Sequence, residues 1–122
     1  QRENNPQRGI AAGWCNLHDC ILNLYYSHIA LFSKAAQAEN PYLSFLFYQY
    51  VLRYVEKHIA DAGDALNLKY SAKKTTGFLC YGLWGFINAA HSERESVELV
   101  KRQARELLME LLRSNALTEV LL

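Results

Sequence analysis

Apolar residues recur along this chain at three- and four-residue spacing rather than in alternation, which is the period of helices that bury one stripe. From about residue 10 to residue 38 the repeat is Leu17, Ile21, Leu24, Tyr25, His28, Ile29 and Phe32, strongest from Asn16 onward and weakened in its first turns by Gly13. Asn40 followed by Pro41 predicts a second helix start, an N-cap acceptor and then a proline where the N–H would have no partner. That helix is expected to run from Pro41 to about Ala62 and to stop at Gly63. It is apolar or aromatic on nearly every side from Tyr42 to Val55 and polar at Glu56, Lys57 and Asp61, so its first half is expected to be buried all round. A third stretch, about Ser71 to His91, carries Phe78, Leu79, Leu83, Phe86 and Ile87 on one broad face. Gly77, Gly82 and Gly85 interrupt it at about 1 kcal/mol each against alanine, which predicts close packing on that backbone by a helix or a ligand. Ser92-Glu93-Arg94-Glu95 has the form of a capping box that opens a fourth helix. There Val97, Val100, Ala104, Leu107 and Leu111 form a stripe, widened by Leu108 and Leu112, with Glu98, Lys101, Arg102, Arg105, Glu106 and Glu110 opposite. Ser114-Asn115 is expected to end it, leaving Ala116 to Leu122 as a short apolar tail.

Four to five helices with short joins predict an all-α antiparallel bundle. Residues 1–13, polar around the turn signal Asn4-Asn5-Pro6, read as a leader or connection, and residues 14–122 as one helical domain. At 122 residues and 51% hydrophobic the chain can bury about two-thirds of its unfolded surface and needs no disulfide or structural metal to fold. Thirteen Lys and Arg against twelve Asp and Glu, with no basic run, argue against nucleic-acid contact by these residues themselves. Cys15, Cys20 and Cys80 are an odd set without a C-x-x-C pair, which reads as free thiols in a reducing, cytoplasmic setting. The longest apolar stretch, Ala72 to Ala90, is broken by Lys73, Lys74, Thr75, Thr76, three glycines and Asn88, so no membrane span is expected.

Neither catalytic, metal nor cofactor chemistry has a signature here. His18 and His28 are ten residues apart, about 280° around a helix, and no H-x-x-x-H, H-E-x-x-H or E-x-x-H pattern occurs. Cys15, His18 and Asp19 form the nearest single-helix group and would need a further ligand from elsewhere, whereas His58 and His91 read as solvated surface. Ser27 beside His28 lacks the elbow that aims a nucleophile, and no glycine loop opens a helix to cradle phosphate. His28 lies beside Leu24, Tyr25 and Phe32, where a core histidine is the commoner explanation. The aromatic content says more. Eight Tyr, five Phe and two Trp fall mostly on the first three helices, and tyrosines around an apolar space make greasy walls with polar tips.

Three segments resemble the C-terminal ligand-binding and dimerisation domain of TetR/AcrR-like transcriptional regulators. Glu39-Asn40-Pro41-Tyr42-Leu43-Ser44-Phe45-Leu46 is similar to that domain's N-P-hydrophobic helix entry. Thr76 to Ile87 resembles its glycine-rich penultimate helix, and Ser92 to Leu112 its capped last helix; the likeness spans residues 14 to 113. The family's helix-turn-helix is not among these residues, and the expectation is that it precedes Gln1, so DNA would be contacted only through it. The resemblance implies a homodimer formed by the last two helices. Its expected interface is Leu79, Gly82, Leu83, Phe86, Val97, Val100, Ala104, Leu107, Leu108 and Leu111. A small apolar or aromatic effector is expected between the first two helices and the inward side of the third. Facing and polarity nominate Trp14, His18, Tyr25, His28, Phe45, Tyr48, Phe78 and Tyr81 as its lining. Two other readings remain open on the residues alone: a protein-interaction module using the last helix, and a metal-binding helical enzyme using His18 and His28.

Overall fold

Asn40 and Pro41 start a helix as their chemistry dictates, the Asn40 carboxamide oxygen accepting the Leu43 N–H at 3.2 Å with proline in the first turn. This computed structural model describes residues 6–28 and 38–120, and among them are four α-helices. They are α1 (Pro6–Ser27), α2 (Pro41–Ala62), α3 (Ala72–Ser92) and α4 (Val97–Arg113), with a 3-10 turn at Gly63–Leu66 between α2 and α3. The chain is thus an all-α helical bundle. No described helix is long and apolar enough to cross a membrane.

Each boundary has a local cause. Gly63 closes α2 at φ 55°, a region that side-chain-bearing residues rarely adopt. Ser71 caps α3 by accepting the Lys74 N–H. The fourth helix starts later than the capping box suggests: Ser92 is the last residue of α3, and Ser96 is the cap that accepts the Leu99 N–H. What separates them is a Schellman turn, Glu95 N–H donating to the Ala90 carbonyl and Arg94 N–H to that of His91, with Arg94 left-handed at φ 61°. The same pattern closes α4, with Asn115 at φ 59°. The first helix also departs from expectation, beginning at Pro6 inside the expected leader because a proline suits the first helical position. It ends at Ser27, with His28 in the turn that follows, so the expected continuous helix to residue 38 is interrupted. Ile29 and Phe32 lie outside the described residues, as do Asn4 and Asn5 of the turn signal and the last two residues of the apolar tail.

Packing register follows from paired side chains. On α1 and α4, Cys15 meets Met109, Asp19 meets Arg105 at 2.7 Å, and Asn23 meets Lys101 at 3.2 Å. Each step of four up α1 matches a step of four down α4, so the two helices run antiparallel. The helix α3 packs against all three others, most extensively on α2. Trp14, Ile21, Leu22 and Tyr25 of α1 meet Val51, Val55 and Ile59 of α2, Leu79, Cys80, Leu83 and Ile87 of α3, and Val100, Ala104 and Leu108 of α4 in one core. Trp14 Nε1–H donates to the Leu66 carbonyl at 2.8 Å, pinning α1 to the 3-10 turn. The close approach sits there as well, since a Cβ on Gly13 would lie 3.2 Å from Leu66 Cδ2. Around Gly77, Gly82 and Gly85 an added Cβ would meet nothing within 4 Å, so the tight packing expected on α3 is not made among the described residues.

Only one row of α2 is buried, Ser44, Val51, Val55 and Ile59, while Tyr42, Leu43, Phe45, Leu46, Tyr50 and Tyr54 are exposed. The expected all-round burial of its first half therefore fails, because α2 lies along α3 and its opposite side is exposed among the described residues. Tyr50, Tyr54 and His58 stack at four-residue steps along that outer side. The tail docks: Leu117 and Thr118 are buried, Lys69 N–H donates to the Leu117 carbonyl, and Leu68 and Thr118 form an antiparallel bridge.

Thr75 and Thr76 are buried, and their hydroxyls find no hydrogen-bond partner. An unpaired buried hydroxyl costs about 1–3 kcal/mol. Thr76→Val keeps the shape and removes that cost, so it is expected to stabilise the fold by about 1–2 kcal/mol in urea denaturation. A loss of stability would show that the hydroxyl is paired in solution.

Candidate functional site

The nominated lining residues separate into a core pair, a turn residue and two grooves. Trp14 and Tyr25 are fully buried structural residues, and the Tyr25 hydroxyl donates to the Cys80 carbonyl at 2.8 Å. Burial drives the Tyr25 phenol far above its ordinary pKa, and burial pushes the Cys80 thiol up to about 12, so both stay protonated near neutrality. His28 stands apart, its ring 4.6 Å from Phe47 and its Nδ1 3.2 Å from the Leu24 carbonyl, an acceptor that favours the Nδ1-protonated tautomer. None of these three lines either of the two grooves described next.

Phe45, Tyr48 and Tyr81 do meet, in a groove of about 330 Å³ between α2 and α3 that Pro41, Ser44, Gln49 and Trp84 complete. Helical spacing assembles it. Pro41, Phe45 and Tyr48 follow one another at four and three residues on α2, with Gln49 four beyond Phe45, and Tyr81 and Trp84 are three apart on α3. Tyr48 holds the walls together, edge-on to Tyr81 at 5.0 Å, 6.5 Å from Trp84, and stacked at 6.4 Å on Tyr25 beneath. Burial raises the Tyr48 phenol well above its usual pKa, so its hydroxyl, itself buried beneath the groove, stays neutral. Ser44, Gln49 and Trp84 are lining residues that the sequence reading missed, although Trp84 shares the helical row of Tyr81.

His18 and Phe78 belong to a second, smaller groove of about 80 Å³ where α3 and α4 meet over α1. Its walls are Phe78, Leu79, Gly82, Leu83 and Phe86 from α3 and Ala104, Leu107, Leu108 and Leu111 from α4. Most of the expected interface residues are here, but they divide. Leu79, Leu83, Val100, Ala104 and Leu108 are buried within the chain itself, so they are core residues and not interface. Gly82, Phe86, Val97, Leu107 and Leu111 remain at least partly outside, and Phe78 joins them at 56% exposure with Leu107 at 51%.

His18, which borders this groove, is only 4% exposed, and its buried Nδ1 has no hydrogen-bond partner among the described residues. Burial lowers its pKa from 6.5 to about 4; Asp19 opposes that shift and Arg105 adds to it. Asp19 itself pairs with Arg105, and Cys15 faces Met109, so the Cys15, His18 and Asp19 group is dispersed. Among the described residues no three His, Cys, Asp or Glu side chains gather as metal ligands would. The Asp19–Arg105 and Asn23–Lys101 pairs between α1 and α4 were not foreseen, because two complementary rows are recognisable only once their register is known.

No family model matches the chain, and comparison with curated proteins and with solved structures finds no significant match.

Proposed function

We propose that the chain is the effector-binding and homodimerisation domain of a TetR-like transcriptional regulator, a cytoplasmic protein that contacts DNA through a helix-turn-helix outside these residues. The observation that carries the reading is the apolar face left over once the core is filled. Phe78, Gly82, Phe86, Leu107 and Leu111 lie contiguously across α3 and α4, on the two helices whose sequences resemble that family's dimer-forming pair. A face of this kind in water is adhesive, and a second copy that presents the same patch covers it symmetrically.

The aromatic groove between α2 and α3 supplies the effector site of this reading. Its walls suit a flat apolar or aromatic molecule, with Ser44 and Gln49 as the polar residues of the lining. A molecule wedged there separates α2 from α3, and α3 also packs on α1 and α4. The effector thus acts by its differential affinity for two packings of α3, which sets the upper limit of its effect on DNA binding.

Sedimentation velocity across a concentration series tests the reading. The expected result is a reversible dimer that Leu107→Glu dissociates, with the dissociation constant raised at least about 100-fold because a carboxylate would be buried at the contact. Leu107 is half exposed in the single chain, so circular dichroism of the variant should be unchanged. A monomer at every concentration would overturn the proposal and favour an interaction module instead.

A further inference from the structure

We infer that Cys15 and Met109 form a binding site for one soft monovalent metal ion, Cu(I), that bridges α1 and α4. A metal group built on Cys15 needs a ligand from another helix, and Met109 is that ligand. Cys15 Sγ and Met109 Sδ stand 3.8 Å apart, and both residues are half-buried rather than enclosed in the core. A metal ion bonded to each sulfur at about 2.3 Å spans that separation with an angle of about 110°, so neither helix has to move. That angle belongs to a three- or four-coordinate ion, whereas a linear one would need the sulfurs about 4.6 Å apart. Space for a further donor lies alongside. Met109 lines a groove of about 310 Å³ between the start of α1, the end of α4 and the docked tail, and so does Ala11, one turn before Cys15. Water or a small thiol entering this groove completes the coordination.

The donors select the ion. Thiolate and thioether are soft ligands, which favour Cu(I) over the harder Mg(II) and Ca(II), and Zn(II) requires a fuller set of thiolate, imidazole or carboxylate ligands than this pair provides. The carboxylate on the next turn of α1, Asp19, is held by Arg105 at 2.7 Å. On binding, the Cys15 S–H bond breaks and its proton passes to solvent, a thiolate–copper bond forms, and Met109 Sδ contributes a lone pair. No electron is transferred. The thiolate cancels the charge of the ion, so the half-buried junction of the two helices takes up a neutral unit and avoids the cost of an unpaired charge. The site uses α1 and α4 alone and does not depend on the regulator reading.

Anaerobic titration of Cu(I) in competition with a chromogenic Cu(I) chelator tests the site. The full chain carries Cys20→Ser throughout, which leaves Cys15 as its one half-buried thiol, since Cys80 is buried. One Cu(I) per chain is expected, with at least two sulfur neighbours by X-ray absorption. Cys15→Ser should abolish binding. Met109→Leu preserves the volume at the helix contact and is expected to weaken binding at least about tenfold, a loss that a thiol acting alone would not show. Thermal denaturation gives a second readout: Cu(I) should raise Tm in the parent chain and not in Cys15→Ser, because an ion bound to both helices stabilises the folded state. Unchanged affinity in Met109→Leu, binding that survives Cys15→Ser, or equal binding of Zn(II) would each overturn the proposal.

Discussion

Trp14→Ala is expected to remove about 4–5 kcal/mol of folding stability, a large part of the total that a domain of this size possesses. The indole is fully buried, and its ring spans the junction of α1, the 3-10 turn and the core. Truncation leaves a cavity in the core, and it strips the Leu66 carbonyl of its donor. Trp14→Phe separates the two effects. It keeps most of the apolar contact but leaves the carbonyl unpaired, so a loss of about 1–3 kcal/mol is expected. Urea denaturation of the three proteins provides the comparison, and a Trp14→Ala loss below about 1.5 kcal/mol would mean that α1 is not anchored through this residue.

The same residue illustrates what could be read from the chain alone. Its helical stripe was legible, because burial on one face leaves a three-and-four spacing, and so were the limits of α2 and α3, because Asn40, Pro41, Gly63 and Ser71 each do one local job. The start of α4 was not. Ser92 and Ser96 are both serviceable caps, and the choice was made by Arg94 entering the left-handed region to close α3, a conformation for which no glycine gives warning. The three glycines of α3 mark no close approach among the described residues, because smallness permits such an approach without requiring it; within the chain it occurs at Gly13.

The candidate site was partly legible in the same sense. Phe45, Tyr48 and Tyr81 meet because aromatic rows on adjacent helices must face each other or water. Trp14 and Tyr25 have the same chemistry and went to the core, since which of two apolar rows is innermost depends on crossing geometry that no single helix encodes. The interface residues divided similarly. Along α4 the four-residue row Val100, Ala104 and Leu108 turns inward, while Leu107 and Leu111, one row over, stay nearer the surface.

Acid should destabilise the fold through His18 more than through any comparable surface group. In the folded chain its pKa is about 4, against 6.5 as the reference for an unfolded imidazole, with burial as the principal cause. Between those values the unfolded state binds the proton and the native state does not, so stability falls as pH drops below 6.5 and the loss is complete below 4. A shift of this size corresponds to about 3 kcal/mol, with a slope of about 1 kcal/mol per pH unit near pH 5. Carboxylates add their own acid dependence, so the decisive quantity is the difference between the native chain and His18→Leu. The variant should lose markedly less stability between pH 7.5 and pH 4.5, as read by urea denaturation at both values. Parallel curves for the two proteins would mean that the imidazole reaches water in the folded chain.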